Sequence, residues 1–289
     1  MKLAGQPLFC GPLWPFVAVL ISAASSIAAQ QLAQIELVTQ TERQKVFGGG
    51  QRSVSLMWRN LGDDTAKAPI SMRLFQASSA TAVPLREAGW KTLEILGGQN
   101  ILETATLDFP VVRAETRFFV QWVQQTNHVL GITEVWVYPT NILQELSVLA
   151  DQRPLGVFDP QNRLKPLLQA LNVEFVESES IVSKTFASRL AVLGPFESKT
   201  HLQEELPAAI EELAKRGIAV VWILPPDLVN ELKPSFYPVP MGKGMVVVAA
   251  PSIVDDLAMR PQAQLNLVEL CRLALHPKPL TLPLLTSQP

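Results

Sequence analysis

Apolar and polar residues alternate through the first half of the chain. Val54, Leu56 and Trp58 alternate with Ser53, Ser55 and Met57. Ile70, Met72 and Leu74 alternate with Ser71 and Arg73, and Leu93 and Ile95 alternate with Thr92 and Glu94. A period of two turns one face of each strand to a core and the other to water. Residues 35–39, 101–109, 117–123 and 129–138 are further β-rich runs. Gly48-Gly49-Gly50, Gly62-Asp63-Asp64, Gly97-Gly98-Gln99-Asn100 and Thr126-Asn127-His128 punctuate them as turns. About seven short strands in this spacing predict an antiparallel β-sandwich over residues 30–139. Trp58, Trp90, Trp122 and Trp136 are then available to fill the space between its sheets.

The pattern changes after Tyr138. Ile142, Leu143, Leu146 and Leu149 fall on one helical face, which predicts a connecting helix within a linker at 140–153. Strands and helices alternate from there to residue 276. Leu155-Gly156-Val157-Phe158 reads as a buried strand, and Leu164, Leu167, Leu168 and Leu171 as a helical stripe. Residues 173–176, 189–193, 218–224 and 245–250 read as further strands, and 263–275 as a closing helix. The run 202–216 is the clearest helix. Thr200 and Gln203 have capping-box spacing, Lys215 and Arg216 suit its last turn, and Gly217 suits its stop. This order predicts a three-layer α/β domain over 154–276 with a mostly parallel sheet.

The start of the chain changes the expected compartment. Lys2, an apolar run at 13–21 and the small residues Ile27-Ala28-Ala29 make the tripartite layout of a signal peptide over 1–29. Residues 7–29 carry no charge, so an uncleaved anchor is the rival reading. Lipidation at Cys10 is excluded by Leu8-Phe9, which lack the small side chains expected before a lipidated cysteine. The segment then engages the membrane only during export, unless it stays uncleaved.

Composition bounds the rest. The chain has 289 residues, 48% apolar and 17% charged, so a core is easily built. The net charge of −2 and the lack of Lys/Arg clusters argue against nucleic acid as a partner. Of two cysteines, Cys271 alone follows the signal, so no internal disulfide is expected and a small buried apolar role is.

The first half resembles immunoglobulin-like modules of secreted bacterial proteins, without their paired cysteines. The second half resembles the class I glutamine amidotransferase-like, flavodoxin-like superfamily. Residues 189–194 are similar to its strand at the ligand edge, 208–224 to its helix-then-strand unit, and Gly242-Lys243-Gly244 before 245–248 to its late glycine turn. The resemblance implies a Gly-x-Cys-x-Gly elbow with His and Glu partners. The sequence has no such elbow, and Cys271 falls in the closing helix. A member without that activity is what the resemblance implies.

Candidate chemistry is sparse. Asp159 follows the first strand of the α/β domain, where open sheets place ligand contacts, and also suits an ordinary turn before Pro160. Glu177 and Glu179 follow the second strand, and Asp227 follows Pro225-Pro226 after the fourth. Asp159, Glu177 and Asp227 are the candidate catalytic carboxylates. Asp159, Gly194 and Pro225 are the candidate ligand contacts at the sheet edge. Ser198 has no base at a known spacing. His128, His201 and His276 are too far apart for ligand spacing, so no metal and no cofactor are expected. Gly242-Lys243-Gly244 lacks the P-loop spacing and reads as a hairpin turn. Trp90 and Trp122 are either core residues or sugar platforms. The tail, 277–289, alternates prolines with Leu280, Leu282, Leu284 and Leu285, which suggests docking or disorder.

The expected function is an exported, non-catalytic binding or scaffold protein of the cell envelope, with an envelope protein or glycan as partner. One alternative is an envelope hydrolase using carboxylates converging at the strand ends. The other is a small-molecule or carbohydrate sensor with an apolar cleft near Gly194 and Pro225.

Overall fold

The computed structural model describes residues 35–39, 43–124, 128–177, 188–202, 204–229 and 235–276. The signal-like segment, Asn127, Glu179, Gln203 and the tail lie outside them. The described residues fall in one compact unit.

The first half forms two facing sheets. One has the order β1 (Ile35–Val38), β3 (Gly50–Asn60), β6 (Asn100–Phe109). The other runs β2 (Gln44–Phe47), β8 (His128–Tyr138), β7 (Thr116–Gln124), β4 (Ala66–Ala77), β5 (Ala82–Ile95). The period-two alternation places Val54, Leu56 and Trp58 of β3 and Ile70, Met72 and Leu74 of β4 inside. Trp58 meets Trp122 of the opposite sheet edge-on at 5.9 Å, and Phe109 meets Phe118 at 5.6 Å. The Trp122 indole N–H donates to Thr133 Oγ1 at 2.9 Å, so its polar end is satisfied inside the core.

Two expectations for this half are corrected. Among the described residues there are eight strands rather than about seven, because the short β2 joins the second sheet. Nor is the arrangement wholly antiparallel: β2 pairs parallel to β8, with Val46 opposite Val137, whereas β1 pairs antiparallel to β3. β2 is four residues long and begins Gln44-Lys45, too short and too polar to show alternation.

The second half is a six-stranded sheet in the order β10 (Phe175–Glu177), β9 (Leu155–Phe158), β11 (Leu190–Leu193), β12 (Ala219–Ile223), β14 (Gly244–Ala249), β13 (Phe236–Met241). All pairings are parallel except β13 with β14. Helices α1 (Glu145–Leu149), α2 (Lys165–Ala170) and α4 (Pro261–Leu275) cover one face, where Leu146, Leu168 and Leu267 pack on Val157, Val192 and Val221. Helix α3 (Leu206–Lys215) covers the other, with Ile210 and Leu213 against Leu193, Val220 and Val246. A strand covered on both faces reads as an unbroken apolar run, and β9 and β11 are buried at every residue.

The sequence pattern misses β13 because Pro238 and Pro240 lie within it. A proline is tolerated on an edge strand whose missing N–H faces outward. β13 is that edge, and Gly242-Lys243 turn it into β14. The helix expected at 202–216 begins at Leu206. Pro207 suits a first turn, and Ser198 instead caps a separate turn at Lys199–His201 by accepting the Thr200 N–H at 3.2 Å. Gly217, with φ +87°, ends α3 as its position implies.

The two halves share apolar packing. Phe47 and Tyr138 join Leu143 and Leu146 in the cluster that runs under α4. Lys45 of β2 donates to Gln262 of α4.

Candidate functional site

In an open parallel sheet the ligand crevice opens where neighbouring strands lead their connections to opposite sides. Here that point lies between β9 and β11, at the carboxyl ends occupied by Asp159 and Gly194.

Asp159 is buried, and its Oδ2 accepts two backbone N–H groups, from Leu164 at 2.6 Å and Lys165 at 3.0 Å. These are donors that the start of α2 would otherwise leave unsatisfied. Its Oδ1 is equally buried and has no hydrogen-bond partner among the described residues. Glu177 pairs with the ammonium of Lys165 at 3.3 Å. Lys165 therefore connects two of the three candidate carboxylates, one through its amide and one through its side chain.

Asp227 serves a different loop. Its oxygens accept the Lys199 N–H at 2.9 and 3.0 Å, and Ser198 Oγ donates to it at 3.4 Å. Between these groups, Gln161 Oε1 accepts the Glu197 N–H at 3.0 Å and ties the loop after β9 to the loop after β11. The loops at the carboxyl edge are thus joined in sequence, with each candidate carboxylate holding one of them. Among the described residues, no three His, Cys, Asp or Glu side chains gather where they could hold a metal ion.

Gly194 and Pro225 are buried. Gly194 has φ +96°, and a Cβ there would lie 2.8 Å from the Ile223 carbonyl oxygen and 3.0 Å from the Phe196 ring. Phe196 is buried and packs on Phe158 at 6.0 Å between centroids. At this point of the edge the chain's own aromatic ring occupies the space beside Gly194. Trp122 is a core residue. Trp90 is half-buried and stacks on Trp58 at 6.0 Å, with the Lys91 ammonium 5.1 Å from its ring centroid. Cys271 is buried in α4, where burial pushes its thiol well above the ordinary range.

Sequence reasoning missed Gln161, Lys165 and Phe196. The first two carry no signal, because their partners come from other elements. Phe196 had one, as an apolar residue directly after a strand and Gly194-Pro195. A groove of about 550 Å³ was also missed; Phe236, Ile253, Leu270 and Leu273 form its apolar wall. The signal there was α4 itself, whose apolar residues run round more of its circumference than one sheet face covers.

No family model matches the chain, and no curated protein matches it in sequence. Among solved structures, a β-glucosidase from Listeria innocua in complex with laminaribiose is similar over 37% of this chain and 17% of its own, at 17% identity and TM-score 0.29. An alkylpurine DNA glycosylase from Pseudomonas fluorescens, bound to DNA with an abasic-site analogue, matches 37% of this chain and 31% of its own, at 12% identity and TM-score 0.29. A β-glucosidase from Erythrobacter marinus matches 36% and 15%, at 13% identity and TM-score 0.28. The match spans less than a third of each protein's length, and likenesses of this size carry no argument for activity.

Proposed function

We propose that the chain is an exported binding or scaffold protein of the cell envelope that performs no catalysis of its own. One observation carries this reading: the carboxylates at the carboxyl edge of the parallel sheet are engaged in holding loops. Asp159 caps the start of α2, Asp227 caps the turn at Lys199–His201, and Glu177 is paired with Lys165. A general acid or nucleophile needs an accessible oxygen near a reacting atom; Asp159 is buried, and the exposed Glu177 and Asp227 are held by Lys165 and the Lys199 amide. The two facing sheets support an immunoglobulin-like module. The strand order, with the second strand outside the first and the third and fourth following on the other side, supports a flavodoxin-like unit of the amidotransferase-like kind. Export is supported by the layout of residues 1–29.

The test uses full-length tagged protein purified from its host's envelope fraction. A native mass spectrum should show a stoichiometric partner, retained by D159N and D227N. Hydrolysis of cell-wall glycan or peptide that disappears in D159N, without loss of thermal stability, would overturn the reading. It would favour the second one, an envelope hydrolase, for which the unpartnered Oδ1 of buried Asp159 is the specific support.

A further inference from the structure

The groove beside α4 has an apolar wall, and the polar groups at its edge are largely committed. Phe236 stands at the start of β13, Ile253 follows β14, and Leu270 and Leu273 come from α4. Arg272 is paired with both Glu269 and Glu145, and Asn266 donates to the Ile253 carbonyl at 2.8 Å. Phe236 is 40% exposed, which is unusual for an aromatic residue beside a core helix. The volume, about 550 Å³, is that of a site for several side chains.

We propose that this groove is the seat of the chain's own segment 277–289, bound in cis. The first argument is position. His276 both caps the end of α4 and lines the groove, so the segment begins at its rim. The second is pattern. Leu280, Leu282 and Leu284 alternate, and an extended backbone turns all three the same way. At ~3.3 Å per residue of such a strand-like backbone the three span about 13 Å, enough to cross a hollow of this volume. The third is entropy. Pro277, Pro279 and Pro283 restrict the backbone to extended forms, which lowers the ordering cost of binding.

The edge strand narrows the mode of recognition. Pro238 and Pro240 remove two donors from β13, and the segment's four prolines remove four of its own. Strand addition is therefore poorly supported, and leucine side chains against Phe236 and Leu273 carry the contact instead. Residues 230–234, which precede Ser235 in sequence, are a weaker occupant, because Leu232 lies between Glu231 and Lys233.

The decisive measurement is binding of a fluorescent synthetic peptide of residues 277–289 to the full-length chain and to its L280S/L282S/L284S variant. The peptide should bind the variant and bind the unaltered chain about tenfold more weakly or worse, because the tethered segment competes at high effective concentration. Adding F236A to the variant should weaken peptide binding about tenfold. Equal binding to both chains, or binding to neither, overturns the proposal. If the triple variant does not fold, hydrogen exchange replaces it: F236A alone should speed exchange of the Leu282, Leu284 and Leu285 amides, and unchanged rates overturn the proposal. A concentration-dependent dimer of the unaltered chain in sedimentation, abolished by F236A, would assign the groove to a second copy and overturn docking in cis.

Discussion

Asp159 Oδ2 accepts the Leu164 amide at 2.6 Å across the turn that enters α2. The same oxygen takes the Lys165 amide, so one buried carboxylate satisfies two donors. Removing such a cap costs about 1–2 kcal/mol. Asp159→Ala should lower stability by about 2 kcal/mol, and Asp159→Asn, which keeps an acceptor oxygen, should recover more than half. Urea unfolding followed by circular dichroism reads both. Equal stability of Ala and Asn variants would show that the hydrogen bonds contribute nothing.

The Trp58–Trp122 contact joins the two sheets of the first half. Both rings are fully buried, and Trp90 covers them from β5. Truncating a buried tryptophan costs about 3–5 kcal/mol. Trp58→Ala should therefore lose at least about 3 kcal/mol in thermal or urea unfolding, while Trp90→Ala, at a half-buried position, should lose less than half as much. Trp90→Ala matching Trp58→Ala would contradict the packing described.

How far the sequence reveals this molecule depends on how local each signal is. Val54, Leu56 and Trp58 declare a half-buried strand within five residues, and β3 follows that reading. Leu155-Gly156-Val157-Phe158 declares a fully buried one, and β9 is that strand. Residues 44–47 and 236–241 declare nothing. In the first, Gln44 and Lys45 break the pattern; in the second, Pro238 and Pro240 mimic a loop, and only their place at the sheet edge makes them strand residues. The start of α3 lies later than the capping-box spacing of Thr200 and Gln203 implies, because Pro207 takes the first turn. Asp159 was legible as a residue in the right place, following a buried strand. Its partners were not, since which amides it meets depends on the path of the turn. Lys165 and Glu177, twelve positions apart in separate elements, meet through the parallel pairing of β9 with β10. The groove is legible only in the apolar circumference of α4, because its other walls come from β13 and the turn after β14.

Gly194 separates a packing role from a ligand role at the sheet edge. Its φ of +96° disfavours any side chain, and a Cβ would crowd the Ile223 carbonyl and the Phe196 ring. Strain and overlap together should make Gly194→Ala less stable by about 3 kcal/mol. Phe196→Leu should relieve part of that loss when combined with it, because the added methyl then meets a smaller, more flexible neighbour. A Gly194→Ala chain of unchanged stability would return the position to the list of ligand contacts.

The thiol of Cys271 gives the molecule a calculable alkaline limit. Burial raises its affinity for a proton in the folded chain relative to the unfolded one. The folded state then binds more protons than the unfolded state above the ordinary thiol value near 9.0. Stability from this source is complete below that pH and falls as pH rises through the window above it, with a slope approaching about 1.4 kcal/mol per pH unit. Tyr138, raised by burial and by its hydrogen bond to Glu115, adds a second loss of the same sign above pH 10.0. Cys271→Ala should therefore be slightly less stable at pH 7 yet show a shallower decline between about pH 9 and 10 than the parent chain. In a Cys10→Ser chain, so that only one thiol remains, a thiol reagent at pH 8 should react at the rate of unfolding. Rapid, stoichiometric labelling of the folded chain would mean that α4 does not seal Cys271 from solvent.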